Sequence, residues 1–206
     1  MRDVVIIDAI RSPIGKFGGA LSTLRPDDLL ADVLKGLMKR TRVDPDQVED
    51  VVVGCGNQAG EDNRNIARMA VLLADLPKKI GGVTVNRNCA SGLDAVNQAA
   101  KSIIAEEGDI YIAGGVESMS NAEFYTNESR WGARFGTVEF HDRLERARIT
   151  IAPEERFGYI AGMVGTAENL AEQYEIGREE QDEYALRSHQ RAVNASESGK
   201  FSEEIV

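Results

Sequence analysis

Cys89 is the residue of this chain whose type and setting best suit covalent chemistry. The β-branched alternation of Val83 and Val85 reads as the end of a strand. A polar link of Asn86, Arg87 and Asn88 follows, then Cys89 and the small residues Ala90, Ser91 and Gly92. A helical pattern begins at Leu93 and runs to Ala105. The cysteine is therefore expected where a buried strand turns into a helix. Free N–H groups and the positive dipole end of a helix favour a thiolate over a thiol. Small neighbours let a substrate come close, and a nucleophile needs both features. By position alone, an inert, small, buried cysteine suits the place equally well.

The elements that must hold Cys89 read as alternating strands and helices. Val4–Ile7 is a continuous apolar run, the pattern of a strand buried on both faces of a parallel sheet. A helix is expected from Pro26, with Asp27 and Asp28 in its first turn and Leu29, Leu30, Val33, Leu34, Leu37 and Met38 on one face. Asp44 and Pro45 predict a cap and the start of a short helix. Val51–Val53 is a second strand, and the Gly54-Cys55-Gly56 after it lacks the third glycine of a dinucleotide loop. Ile66–Ala74 predicts a helix, 83–86 a strand, and Asp109–Ala113 a fourth strand. The order βαβαβαβ predicts a parallel sheet wrapped by helices. In the helix after Cys89, residues Leu93, Ala95, Val96, Ala99, Ala100, Ile103 and Ile104 cover most of the circumference, as in a helix buried on two sides.

Beyond Ser118 the pattern changes. Residues 119–160 are polar and arginine-rich, and helices resume at 166–174 and 179–196. We read 119–199 as an excursion from the sheet and 200–206 as the start of a returning strand, with the chain ending in mid-fold. Net charge is −10 over 206 residues, which argues against nucleic acid as the main partner. Residues 130–156 depart from that balance, with six arginines against five acids. A solvated, salt-bridged surface accounts for this, and so does a patch for an anionic ligand such as a phosphate. The two cysteines, Cys55 and Cys89, have no metal or CxxC spacing, so neither a disulfide framework nor a metal site is expected. No apolar run approaches a membrane span, and a reducing cytoplasm suits the thiols.

Val85–Val96, with its Asn-Arg-Asn-Cys-Ala-Ser-Gly-Leu core, resembles the nucleophile motif of the thiolases. Arg11–Gly19 resembles the family's first loop, and Asn57–Gly60 with Asn65–Arg68 its second helix region. Ala113–Ser120 resembles the segment after the fourth strand, while Gly165–Ala171 and Arg178–Asp182 resemble the end of the loop domain. The wording of Asn57–Asn65 is most similar to the 3-oxoadipyl-CoA type, within a family of acetyl-CoA acetyltransferases and 3-oxoacyl-CoA thiolases. Asn88 departs from the apolar residue usual at its position.

The resemblance implies an α/β half-fold: a mixed, mostly parallel sheet with helices on both faces and an inserted loop domain. Residues 1–118 would be the core and 119–199 the loop domain shaping a coenzyme A site. It implies an acyltransferase of the kind used in fatty acid metabolism, with Cys89 forming an acyl-enzyme on a 3-oxoacyl-CoA, and Met163 near the acyl group. Coenzyme A and acyl-CoA are substrates, and no permanently bound cofactor is implied. The histidine and second cysteine of the family's cycle belong to its second half. His141 and His189 lie outside the matching motifs, so the chain alone is expected to be inactive. A homo-oligomer, dimeric or tetrameric when complete, is expected. A non-catalytic thiolase-like module and a related condensing enzyme are the alternatives.

Overall fold

The computed structural model describes residues 2–58, 64–149, 154–159 and 162–206, with the backbone alone for 147–149. The chain divides into two compact units. One runs to Glu123 and includes Glu204–Val206; the other is Phe124–Glu203.

The first unit is built on strand β1, Val48–Gly54, whose last four residues are all buried. It lies between β2 (Val83–Val85) and β3 (Ile110–Gly115), parallel to both, in the order β2-β1-β3. A central strand covered on both faces explains the unbroken Val51–Val53 run. Val51 and Val53 join a core with Leu30, Leu34, Ile66 and Val71 from helices α1 (Pro26–Thr41) and α2 (Ile66–Leu73). Val52 points the other way, into a smaller cluster with Val85, Ala95 and Ala99 under helix α3 (Ser91–Ile104). Helices therefore cover both faces of the sheet.

Local signals set the boundaries. Pro26 occupies the first turn of α1, with Asp27 and Asp28 beside it and Lys39 and Arg40 in the last turn, matching the helix dipole. Asp44 accepts a hydrogen bond from the Asp46 N–H and caps a 3-10 turn, Pro45–Gln47. Asn65 caps α2 through the Arg68 N–H, donates to the Gly82 carbonyl at 2.7 Å and accepts from Thr84 at 3.0 Å. One side chain thus ties the start of α2 to the start of β2.

The Val4–Ile7 run does not form the predicted strand. Residues 2–10 have no regular structure, and Val5, Ile6 and Ile7 are 76, 78 and 66% exposed. An apolar run becomes a buried strand only where a neighbour supplies ladder hydrogen bonds, and no described strand pairs with it. It borders an apolar cleft of about 830 Å³, lined also by α1, α3 and β3. Its continuation is tied down at Arg11, which pairs with Ile205 in an isolated bridge and bonds to the Glu204 carboxylate at 2.8 Å. Helix α3 has its sheet side filled by Ala95 and Ala99, while Leu93, Val96 and Ile104 are exposed.

The second unit holds a two-stranded antiparallel pair, β4 (Phe124–Tyr125) with β5 (His141–Asp142). Among the described residues the helices that follow are α4 (Arg143–Ile149), α5 (Glu154–Phe157), α6 (Gly162–Gln173) and α7 (Arg178–Glu197). No helix among the described residues is long and apolar enough to cross a membrane.

Candidate active site

Cys89 lies in the turn between β2 and α3, two residues before the first helical residue, and is exposed. The turn is fixed by short-range bonds. Ser91 is buried and does not cap the helix with its side chain. Its hydroxyl instead donates to the Asn88 carbonyl at 2.6 Å and accepts from the Arg87 N–H at 2.8 Å. That wraps residues 87–91 around one oxygen and leaves Cys89 at the apex. Asn88 has a left-handed backbone, φ 50°. Asparagine tolerates that region far better than a branched apolar residue does. The departure noted in the sequence is thus matched to the backbone at this position.

The apex is held against the sheet by an absence of side chain. A Cβ on Gly54 would meet the Ser91 carbonyl carbon at 2.3 Å and the Gly92 nitrogen at 2.4 Å. Only glycine lets β1 end in contact with the first turn of α3. The turn after β1 is gripped from just beyond β3. The Glu117 carboxylate accepts from the Gly56 N–H at 2.8 Å and the Asn57 N–H at 3.1 Å. Sequence reasoning gave no role to Gly54, Gly56 or Glu117. Their work depends on contacts between segments some sixty residues apart in the chain, as between Gly56 and Glu117.

Charge around the helix start is balanced. Arg87 pairs with Asp94 in the first turn at 3.0 Å. Gln98 donates to the same carboxylate at 2.8 Å. The Gln98 hydrogen bond is the first cause that holds the Asp94 carboxyl below its ordinary range, and Arg87 adds to it. Cys55, the other thiol, is 1% exposed in the α1/α2 core. Chemically, then, this unit presents one accessible thiol, at a helix start, followed by Ala90, Ser91 and Gly92.

The remaining candidates belong to the second unit. Met163 is on α6 and 69% exposed. Arg130 and Arg134 are exposed, and Arg130 lines a polar depression of about 520 Å³ with Thr126, Asn127, Ser129 and Trp131. The side chain of Arg148 lies outside the described residues, as do residues 59–63 of the subtype stretch and the 160–161 flank of Met163. His141 packs edge-on against Tyr125, with ring centroids 5.9 Å apart, and His189 is exposed on α7. Among the described residues no group of three or more His, Cys, Asp or Glu side chains is placed to hold a metal.

Comparison with known proteins identifies the family and the fold. The family model for the thiolase N-terminal domain matches residues 4–206. The 3-oxoadipyl-CoA/3-oxo-5,6-dehydrosuberyl-CoA thiolase of Escherichia coli K12 is 49% identical over 207 residues, covering 100% of this chain and 51% of that protein. The beta-ketoadipyl-CoA thiolase of Pseudomonas putida is also 49% identical, over 100% of this chain and 52% of its own length. The crystal structure of the Bacillus anthracis acetyl-CoA acetyltransferase superposes with a TM-score of 0.88 at 43% identity, over 98% of this chain and 50% of that one. The chain spans about half the length of the relatives it matches. It belongs to the thiolase family, and what it holds is that family's N-terminal domain.

Proposed function

We propose that this chain carries the nucleophile of an acyl-CoA acetyltransferase and that Cys89 is that nucleophile. Its thiolate attacks the 3-oxo carbonyl carbon of a 3-oxoacyl-CoA. The carbon–carbon bond breaks, acetyl-CoA leaves once its carbanion is protonated, and the shortened acyl group stays on sulfur. A coenzyme A thiolate then takes the acyl group and frees Cys89. The reverse sequence is a Claisen condensation. The observation that carries this reading is the exposure of Cys89 at the start of α3, beside a buried Cys55. The cycle also needs acid–base groups. We place these outside the 206 residues, so the chain alone should not turn over, while Cys89 should still react slowly and stoichiometrically through activation local to the helix start.

The names of the relatives support a 3-oxoadipyl-type substrate over a generic 3-oxoacyl-CoA. Residues 119–199 are proposed to shape the coenzyme A site. Met163 would lie near the acyl group, and Arg130, Arg134 and Arg148 would meet the phosphates. The polar depression beside Arg130 supports the last assignment. A homo-oligomer is part of the same reading, supported by the exposed Leu93, Val96 and Ile104 of α3. Competitive labelling tests the whole: iodoacetamide should alkylate Cys89 well ahead of Cys55, and acetyl-CoA should slow it. Equal labelling without protection contradicts the assignment.

A further inference from the structure

A relay of hydrogen bonds linked through the backbone of residue 56 runs from Glu117, just past the opposite edge strand β3, to Asn88, the residue before Cys89. The two oxygens of Glu117 take the N–H groups of Gly56 and Asn57 separately, Oε2 from the first and Oε1 from the second. The Gly56 carbonyl, held in place by this grip, accepts from Nδ2 of Asn86 at 3.0 Å. The other end of that amide, Oδ1, accepts from the Asn88 N–H at 2.9 Å. Asn88 is the left-handed residue whose peptide leads directly into Cys89. A side chain at Gly56 would fit only tightly within this arrangement. A Cβ there would be 3.2 Å from the Glu117 carboxylate and 3.3 Å from the Asn88 carbonyl oxygen.

We propose that Glu117 and Asn86 are positioning residues for Cys89: they act through the 55–57 turn to fix the backbone that presents the thiol. The inference rests on the reading of Cys89 as nucleophile. Each link demands one chemistry. Two N–H donors meet two separate oxygens at position 117, so an acceptor-only carboxylate satisfies both and an amide of the same shape does not. Position 86 needs a donor and an acceptor on one planar group, so an amide fits and a carboxylate does not. The bonds to Gly56 and Asn57 engage both carboxylate oxygens of Glu117, and the amide of Asn86 donates at one end and accepts at the other. Cys55 also approaches Glu117, its sulfur 3.8 Å from Oε1, but it faces the core and gains no access by it.

The test uses two near-isosteric variants of the 206-residue protein, Glu117→Gln and Asn86→Asp, the double variant, and Glu117→Asp. Each is scored by the rate of Cys89 alkylation by iodoacetamide, with thermal unfolding recorded alongside. Misplacing a reacting group by an ångström costs up to about a hundredfold, and we expect each single variant to lose about tenfold. The double variant should lose no more than the worse single, because both act through one chain of bonds. Glu117→Asp keeps both oxygens and should recover part of the rate. Unchanged Cys89 rates in both singles, or losses that multiply in the double, overturn the proposal, whatever the melting temperatures do. A parent protein in which Cys89 labels no faster than Cys55 instead sinks the nucleophile reading on which this one rests. The two failures are therefore distinguishable.

Discussion

The two cysteines follow two strands of one sheet and meet opposite fates. Cys55 leaves β1, the central strand, and the ladder carries on past it: its N–H donates to the Val85 carbonyl at 3.1 Å. Its side chain continues the alternation of Val51 and Val53 into the α1/α2 core. Cys89 leaves β2, a strand with one described neighbour, through a turn that a left-handed asparagine permits. The difference shows that thiol access is set by strand position and turn backbone, not by the local apolar character of the sequence. The strand that buries its own cysteine also supplies, through Gly54, the surface on which the other is displayed.

Substitutions at these residues and their neighbours can break or sharpen that contrast. Gly54→Ala should act most strongly, since its Cβ would overlap backbone atoms that cannot rotate away. Overpacking of this kind costs about 3 kcal/mol or more, and urea unfolding should show it together with loss of selective Cys89 labelling. Cys55→Ser comes next. Placing a hydroxyl in the α1/α2 core should cost about 1–2 kcal/mol, whereas Cys89→Ser, on the surface, should stay within about 0.5 kcal/mol. Equal costs at the two sites would mean that their burial has been misread.

Asn88→Leu should cost about 1 kcal/mol through its left-handed backbone, while Asn88→Gly should be nearly neutral. The smallest effect concerns pH. The folded Asp94 carboxyl titrates below its ordinary range, so it contributes stability above pH 4 or so, about its unfolded value, that is lost as pH falls through the folded value. Gln98→Ala and Arg87→Ala should each raise the carboxyl titration seen by NMR, since both partners hold the carboxylate down. No change in either variant would contradict the geometry around the helix start.

These contrasts mark what the sequence could carry. Helices α1, α2 and α3 and the buried β1 were legible because their patterns are local: Pro26 with its acids, the Ile66–Ala74 stretch, and the Val51–Val53 run. The same reasoning failed at Val4–Ile7, a run of like composition, because burial depends on a neighbouring strand that no periodicity announces. In the site, Cys89 was legible from strand, small residues and helix in succession. Glu117, Gly54 and Gly56 were not, although the segments holding them had been singled out. Their significance is a matter of distance in space, and a lone sequence contains no signal for it. Asn88 lay between the two: its departure was visible, and its backbone was not.

The most direct measurement of the central claim is acyl trapping. The protein is incubated with acetyl-CoA, quenched in acid and digested, and its two cysteine peptides are weighed by mass spectrometry. The account predicts one acetyl group on the Cys89 peptide, labile to hydroxylamine as a thioester is, with none on the Cys55 peptide and none on either in Cys89→Ser. Acetyl on Cys55, or hydroxylamine-labile acetyl that survives in Cys89→Ser, would contradict it.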